Sequence, residues 1–130
     1  MTYVISDIHG CYEKYQSMLE AIKLAEDDAL YVLGDVLDRG PDGFKILLDM
    51  AARPNVIGLL GNHELLAAAV LPSLLRTIRR GEEQPLTKAE QAQMQEWLQN
   101  GGKASILQFL QFRGEEIETV CGYLRSLSAY

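Results

Sequence analysis

The sequence holds only two cysteines, two histidines and four prolines, and these shortages exclude several kinds of protein. Cys11 and Cys121 match no zinc-ligand spacing and are too few for a disulfide framework, so a reducing compartment is expected. No apolar run approaches the ~20 residues needed to cross a bilayer. The start, "MTYVISDIHG", lacks the basic, apolar and cleavage regions of a secretory leader, which makes the cytoplasm the expected location. There is no basic excess either. The formal charge of −6 argues against nucleic acid or an anionic membrane as partner. It leaves room for a small phosphorylated substrate, because a cation can supply positive charge locally. Internal repeats, low-complexity tracts and flexible linkers are missing too. What is present, 48% hydrophobic and 23% charged over 130 residues, is the composition of one soluble globular domain.

Three short apolar runs read as buried strands: Tyr3 to Ser6, Ala29 to Leu33 and Asn55 to Leu60. They lack strict alternation, as expected of strands covered on both faces. Between them, Glu13 to Ala25 places Tyr15, Met18, Leu19 and Ile22 at helical spacing. Asp42 to Ala52 follows Pro41 and puts Phe44, Leu47, Leu48 and Ala51 on one side. Strand and helix in alternation predict right-handed crossovers in a parallel sheet over residues 1–71. Residues 72–130 read as helix throughout. "ELLAAAVL" runs to Pro72, a further helical stretch reaches about Arg80, and "GEEQP" is a loop. Thr87 with Glu90 forms a capping-box pattern that opens a helix toward Gln99, and "NGG" at 100 to 102 ends it. Helical pieces near Ile106 to Phe112 and Glu115 to Leu127 complete the chain.

The polar residues that follow the strands carry the chemistry. Asp7 and His9 come after the first, Asp35, Asp38 and Arg39 after the second, Asn62 and His63 after the third. In a parallel sheet the carboxyl ends of the strands share one edge, where ligands bind. Carboxylates, imidazole and an amide oxygen form a mixed donor set suited to manganese, iron or zinc, and less to magnesium. Carboxylates so close would repel without a cation. Asp35 has two oxygens and could bridge two ions ~3.5–4 Å apart, the arrangement that clamps a phosphoryl group and activates water.

"DIHG", "GDVLDRG" and "GNHE", in this order and spacing, resemble the three N-terminal signatures of the metallophosphoesterases. The "DRG" form is similar to the phosphoprotein phosphatase branch, which includes bacterial serine/threonine phosphatases and diadenosine tetraphosphatases. "WLQNGGKAS" also resembles a stretch of the bacterial members. The resemblance implies the N-terminal part of a calcineurin-like α/β sandwich, with parallel strands and crossover helices followed by a helical segment. It implies two divalent metals, manganese first, with iron or zinc as alternatives. Asp7 and His9 would bind the first metal, Asp35 would bridge, and Asn62 would bind the second. His63 would protonate the leaving group, oriented and kept cationic by Asp38. Arg39 would hold phosphate through a bidentate contact.

The family pattern also needs two histidines well downstream as ligands of the second metal, and this chain contains only His9 and His63. The resemblance therefore implies a truncated chain whose second metal site is incomplete, and which is weakly active or inactive. It also implies an apolar sheet face without its cover, a basis for association with a second copy. The leading expectation is a serine/threonine protein phosphatase; a hydrolase of dinucleoside polyphosphates and a non-catalytic metal- or phosphate-binding fragment are the alternatives. Several residues have plainer expected roles. Glu64 favours the N-terminus of its helix, Trp97 anchors the core, Asn100 to Gly102 terminate a helix, Tyr12 and Tyr15 pack, and Arg79 and Arg80 lie on a solvated face.

Overall fold

The computed structural model describes residues 1–80 and 86–128, with side chains except those of 78–80. The expected loop "GEEQP" lies outside these residues, and the expected solvated face of Arg79 and Arg80 outside the described side chains. The elements alternate as β1 (Thr2–Ile5), α1 (Tyr12–Ile22), β2 (Ala29–Val32), α2 (Gly43–Ala51), β3 (Val56–Gly58), then α3 (Asn62–Arg80), α4 (Lys88–Gln99), α5 (Gly102–Phe109) and α6 (Gly114–Ser126). The sheet is parallel in the order β1-β2-β3. Ile5 is level with Val32, and Val32 with Gly58, so all three strands end at one edge. Every residue expected at the site follows that edge within a few positions.

Several boundaries differ from expectation for local reasons. Helix α1 closes at Lys23, which takes the left-handed region at φ 49 and folds its amide back onto Glu20 and Leu19. Regular pairing of β3 stops at Gly58; Leu59 instead bridges to Ser128 in parallel, and the Leu60 amide donates to the Ser128 carbonyl at 2.7 Å. Pro72 does not divide its helix, and α3 runs through it despite the amide hydrogen it lacks. The capping box at α4 forms as the sequence predicts: Thr87 accepts from the Glu90 amide while the Glu90 carboxylate accepts from the Thr87 amide.

The two faces of the sheet are unlike. Leu30, Val32 and Val56 are buried, together with Phe44, Ile46, Leu47 and Met50 of α2 and Val120 and Leu124 of α6. Residues that alternate with the buried strand positions remain open: Val4, Tyr31, Leu33 and Ile57 are all exposed. The uncovered face implied by the family resemblance is therefore present. Tyr15 is buried and its hydroxyl donates to Asp49 at 2.8 Å, so it packs as expected. The helical half is fastened to the sheet half by an aromatic triplet, Phe44, Phe109 and Phe112, with ring centroids 5.5 to 6.5 Å apart. Gln108 of α5 adds a polar link. Asp42 caps α2 with no side-chain bond, and the orphan amide of Phe44 donates instead to Gln108 Oε1 at 2.8 Å.

Candidate functional site

The loops after β1 and β2 are stitched to one another. The amides of His9 and Gly10 donate to the carbonyls of Asp35 and Val36 at 3.0 and 2.8 Å, and the Gly40 amide returns to the His9 carbonyl at 3.0 Å. Gly10 and Gly40 make this approach possible, since a Cβ on Gly10 would lie 2.4 Å from the Gly40 oxygen. The loops carry a concentration of backbone strain. Asp7, His9, Asp35, Asp38 and Arg39 all have positive φ, between 44 and 77. Such conformations cost on the order of 1 kcal/mol or more each and persist only where surrounding contacts over-determine them.

One supporting contact is Glu64. It stands in the first turn of α3, as expected, and does more there: the side chain is fully buried, and its two oxygens accept from four backbone amides. Asp35 and Gly61 donate to Oε1 at 2.5 and 3.2 Å, Val36 and Leu37 to Oε2 at 3.0 and 3.1 Å. Burial pushes the Glu64 carboxyl above its ordinary pKa, while the amides of Leu37 and Asp35 pull it back. A carboxylate thus ties the β2 loop to the β3 loop from beneath.

Above it, Asp7, His9 and Asp35 each place one ligand atom within 4.8 Å of the others. His9 Nδ1 lies 2.9 Å from the Leu37 carbonyl oxygen, which can only accept, so this nitrogen carries the proton. A neutral His9 therefore has its lone pair on Nε2, which faces Asp7 Oδ1 at 3.7 Å. That arrangement suits a metal-binding histidine, whose second nitrogen is held by a carbonyl or carboxylate. The Ser6 hydroxyl donates to Asp7 Oδ2 at 2.7 Å and is the main reason why the exposed Asp7 carboxyl sits below its ordinary pKa. The amide of His63 reaches Asp35 Oδ1 at 3.3 Å. Asn62, the first residue of α3, is exposed at the same edge, and so is Arg39.

His63 and Asp38 form a second, buried group. His63 Nδ1 is 2.8 Å from Asp38 Oδ2, and the His63 ring meets the His9 ring edge-on, centroids 4.7 Å apart. Asp38 accepts further bonds from Trp97 Nε1, at 2.8 Å to both oxygens, and from the Ser105 hydroxyl at 2.7 Å. Trp97 is buried as a core anchor would be, yet its one polar atom is committed to this carboxylate. The "NGG" segment does end α4, but the Gly101 carbonyl also accepts the Arg39 amide at 2.9 Å. Sequence reasoning missed Glu64 and Ser105; for Trp97 the available signal was its place in the stretch "WLQNGGKAS".

The family description "Calcineurin-like phosphoesterase" matches residues 2–129. Relatives include the symmetrical bis(5'-nucleosyl)-tetraphosphatase of Erwinia tasmaniensis, 38% identical over 91 residues, which is 68% of this chain and 33% of that protein. The protein of the same name from Delftia acidovorans is 36% identical over 101 residues, 75% of this chain and 36% of its own length. The chain thus spans about a third of the length of these relatives. A crystal structure of a candidate diadenosine tetraphosphatase superposes with a TM-score of 0.53 at 22% identity, covering 95% of this chain and 41% of the other, which bears on the fold alone. The chain belongs to the calcineurin-like phosphoesterase family.

Proposed function

We propose that this chain carries the metal- and phosphate-binding strand ends of a hydrolase acting on dinucleoside polyphosphates. The single observation that supports the metal centre most is the His9 ring. Its Nδ1–H is spent on the Leu37 carbonyl, which leaves Nε2, 3.7 Å from Asp7 Oδ1, as the free nitrogen of the Asp7, His9 and Asp35 cluster. Calcineurin-like phosphoesterases bind divalent metals, and the donor set fits one: two carboxylates and an imidazole in reach of a common point. In this reading Asp7 and His9 hold the first ion, Asp35 bridges toward a second, and Asn62 offers its amide oxygen there. The ions would supply positive charge to the phosphoryl oxygens and a nucleophile from water at neutral pH.

The remaining steps belong to the chain. Arg39, exposed at the edge, would grip a phosphate by two parallel N–H bonds. Water adds to phosphorus in line while the bridging P–O bond breaks. His63, its Nδ1–H donated to Asp38, would deliver the proton from Nε2 to the departing oxygen. The dinucleoside substrate is favoured over a phosphorylated protein by the relatives, which carry the name bis(5'-nucleosyl)-tetraphosphatase. The reading of a non-catalytic fragment retains one specific support: both histidines are already placed, and among the described residues the three-ligand cluster has no imidazole left for a second ion.

Calorimetric titration with Mn²⁺, beside hydrolysis of diadenosine tetraphosphate and of a phosphoserine peptide, tests these readings together. One saturable ion, lost at least about tenfold in affinity in Asp35→Asn, is expected, with hydrolysis of the dinucleotide in excess of the peptide. Binding unchanged in Asp35→Asn would remove the metal assignment. Faster release of phosphate from the peptide would restore the protein phosphatase, and binding without turnover would leave the fragment reading.

A further inference from the structure

Asp38 is held in a way that a simple His–Asp pair does not require. The residue is wholly buried, and its carboxylate collects bonds from three side chains of two different regions. Ser105, 67 residues away, bonds it twice: its hydroxyl donates to Oδ1 at 2.7 Å and accepts the Asp38 backbone amide at 2.9 Å. Side chain and main chain of one residue are thereby chelated by a single oxygen, which fixes the carboxylate plane. Trp97, 59 residues away, bridges both oxygens from the other direction. Gly102 makes room for that ring, because a Cβ there would lie 2.6 Å from Trp97 Cδ1. Through Gly101 the same corner between α4 and α5 also holds the Arg39 amide.

We propose that Trp97 and Ser105 are positioning residues, which fix the Asp38 carboxylate so that Oδ2 points the His63 ring at the reacting phosphate. As a statement about catalysis this rests on the phosphoesterase reading above; as a statement about ring orientation it stands on the bonds themselves. A carboxylate on a strained loop turns freely about its Cβ–Cγ bond unless something fixes it. Here Ser105 holds Oδ1 and Trp97 spans both oxygens, so that Oδ2 meets His63 Nδ1 with the carboxylate already fixed. The helical half therefore completes the acid–base pair without touching substrate.

Two conservative variants test this, Trp97→Phe and Ser105→Ala, each removing one donor. Without metal, NMR of the His63 ring reads its orientation through ring-proton shifts and contacts to His9. With metal, Mn²⁺ stoichiometry by calorimetry counts folded sites. Diadenosine tetraphosphate hydrolysis gives kcat and KM separately. Both variants are expected to displace the His63 ring signals and weaken the His9 contacts while the Mn²⁺ stoichiometry stays at the parent value. Wherever the parent turns over, kcat falls about 10- to 100-fold and KM stays within about twofold. Parent-like His63 signals and kcat in both variants overturn the proposal. So does Mn²⁺ stoichiometry that falls in step with kcat, since that is loss of folded protein. If Trp97→Phe fails to fold, Ser105→Ala, which removes a single oxygen, decides alone. If the parent shows no turnover, the phosphoesterase reading fails for this chain, and the His63 ring signals alone decide whether the positioning holds.

Discussion

Up to Gly40, the described backbone carries six non-glycine residues at positive φ, five of them in the loops after β1 and β2; beyond Gly40, only Gly101 takes that region. The sheet half gathers unfavourable conformations where Asp7, His9, Asp35, Asp38 and Arg39 must converge. The helical half has relaxed backbone and supplies what holds them: Trp97 and Ser105 on Asp38, the Gly101 carbonyl on Arg39, Gln108 on α2. Strain is thus gathered in one stretch of the sequence, while its restraint is shared between Glu64 of that same stretch and the helical half. A site of this kind depends on contacts from both halves, because strained conformations persist only where the surroundings over-determine them.

The sharpest test of that division removes a restraint placed inside the sheet half. Glu64→Ala leaves the amides of Asp35, Val36, Leu37 and Gly61 without their acceptor in a buried space. Each unpaired buried donor costs about 1–3 kcal/mol. Part of that is recovered by water or relaxation, so the expected loss is about 3 kcal/mol or more. Urea unfolding of the parent and variant measures it, and a loss under about 1 kcal/mol would show that the loops hold without this carboxylate.

The corresponding test in the helical half is Gly102→Ala. Alanine favours the helix by up to about 1 kcal/mol over glycine, so propensity alone predicts stabilisation. The clash decides the sign, since the new methyl would meet the Trp97 ring at 2.6 to 2.7 Å, and neither the buried indole nor its bond to Asp38 has room to give. Overpacking of this sort costs about 1–3 kcal/mol. Trp97 is the only tryptophan, so its fluorescence reports the ring directly. A changed emission with a lower melting temperature is expected; an unchanged spectrum with higher stability would mean that α5 shifts and the two halves are less tightly matched than described.

How much of this was legible depends on the distance over which each contact acts. Asp7, His9, Asp35, Asn62 and His63 stood out because a parallel sheet brings the residues after each strand to one edge, and strand ends can be read locally. The capping box of Thr87 and Glu90 was equally local. For Glu64 only the helix-start role is legible, because acceptance from amides 27 to 29 residues earlier leaves no pattern near Glu64 itself. Ser105 was invisible for the same reason, with its partner 67 residues away. The end of α1 was misplaced by three residues because Lys23 takes a left-handed cap that favours glycine or asparagine. Pro72 suggested two helices where one forms, since tertiary packing of α3 against α4 and α6 outweighs a single missing hydrogen bond.

Glu90 offers the smallest effect and a test by pH. It belongs to the helical half alone, where its carboxylate accepts from Ser73 and Arg76 of α3 while closing the cap of α4 through the Thr87 amide. The Ser73 hydroxyl bond, then the Thr87 amide and Arg76, hold the Glu90 carboxyl at about 2 against an ordinary value of 4.5. A carboxyl lowered in this way stabilises the folded state fully above 4.5, where the unfolded chain is also ionised. That contribution is lost as pH falls from 4.5 toward 2, because the unfolded chain then takes up a proton that the folded one refuses. The group is close to solvent, so salt screens its ion pair with Arg76 and weakens the effect. Melting temperature measured from pH 6 to pH 2.5 should therefore show a gap between the parent and Glu90→Gln that is constant near neutrality and narrows below 4.5. A gap that persists undiminished at pH 2.5 would assign the α3–α4 contact to neutral hydrogen bonds, and the restraint supplied by the helical half would then owe nothing to this charge.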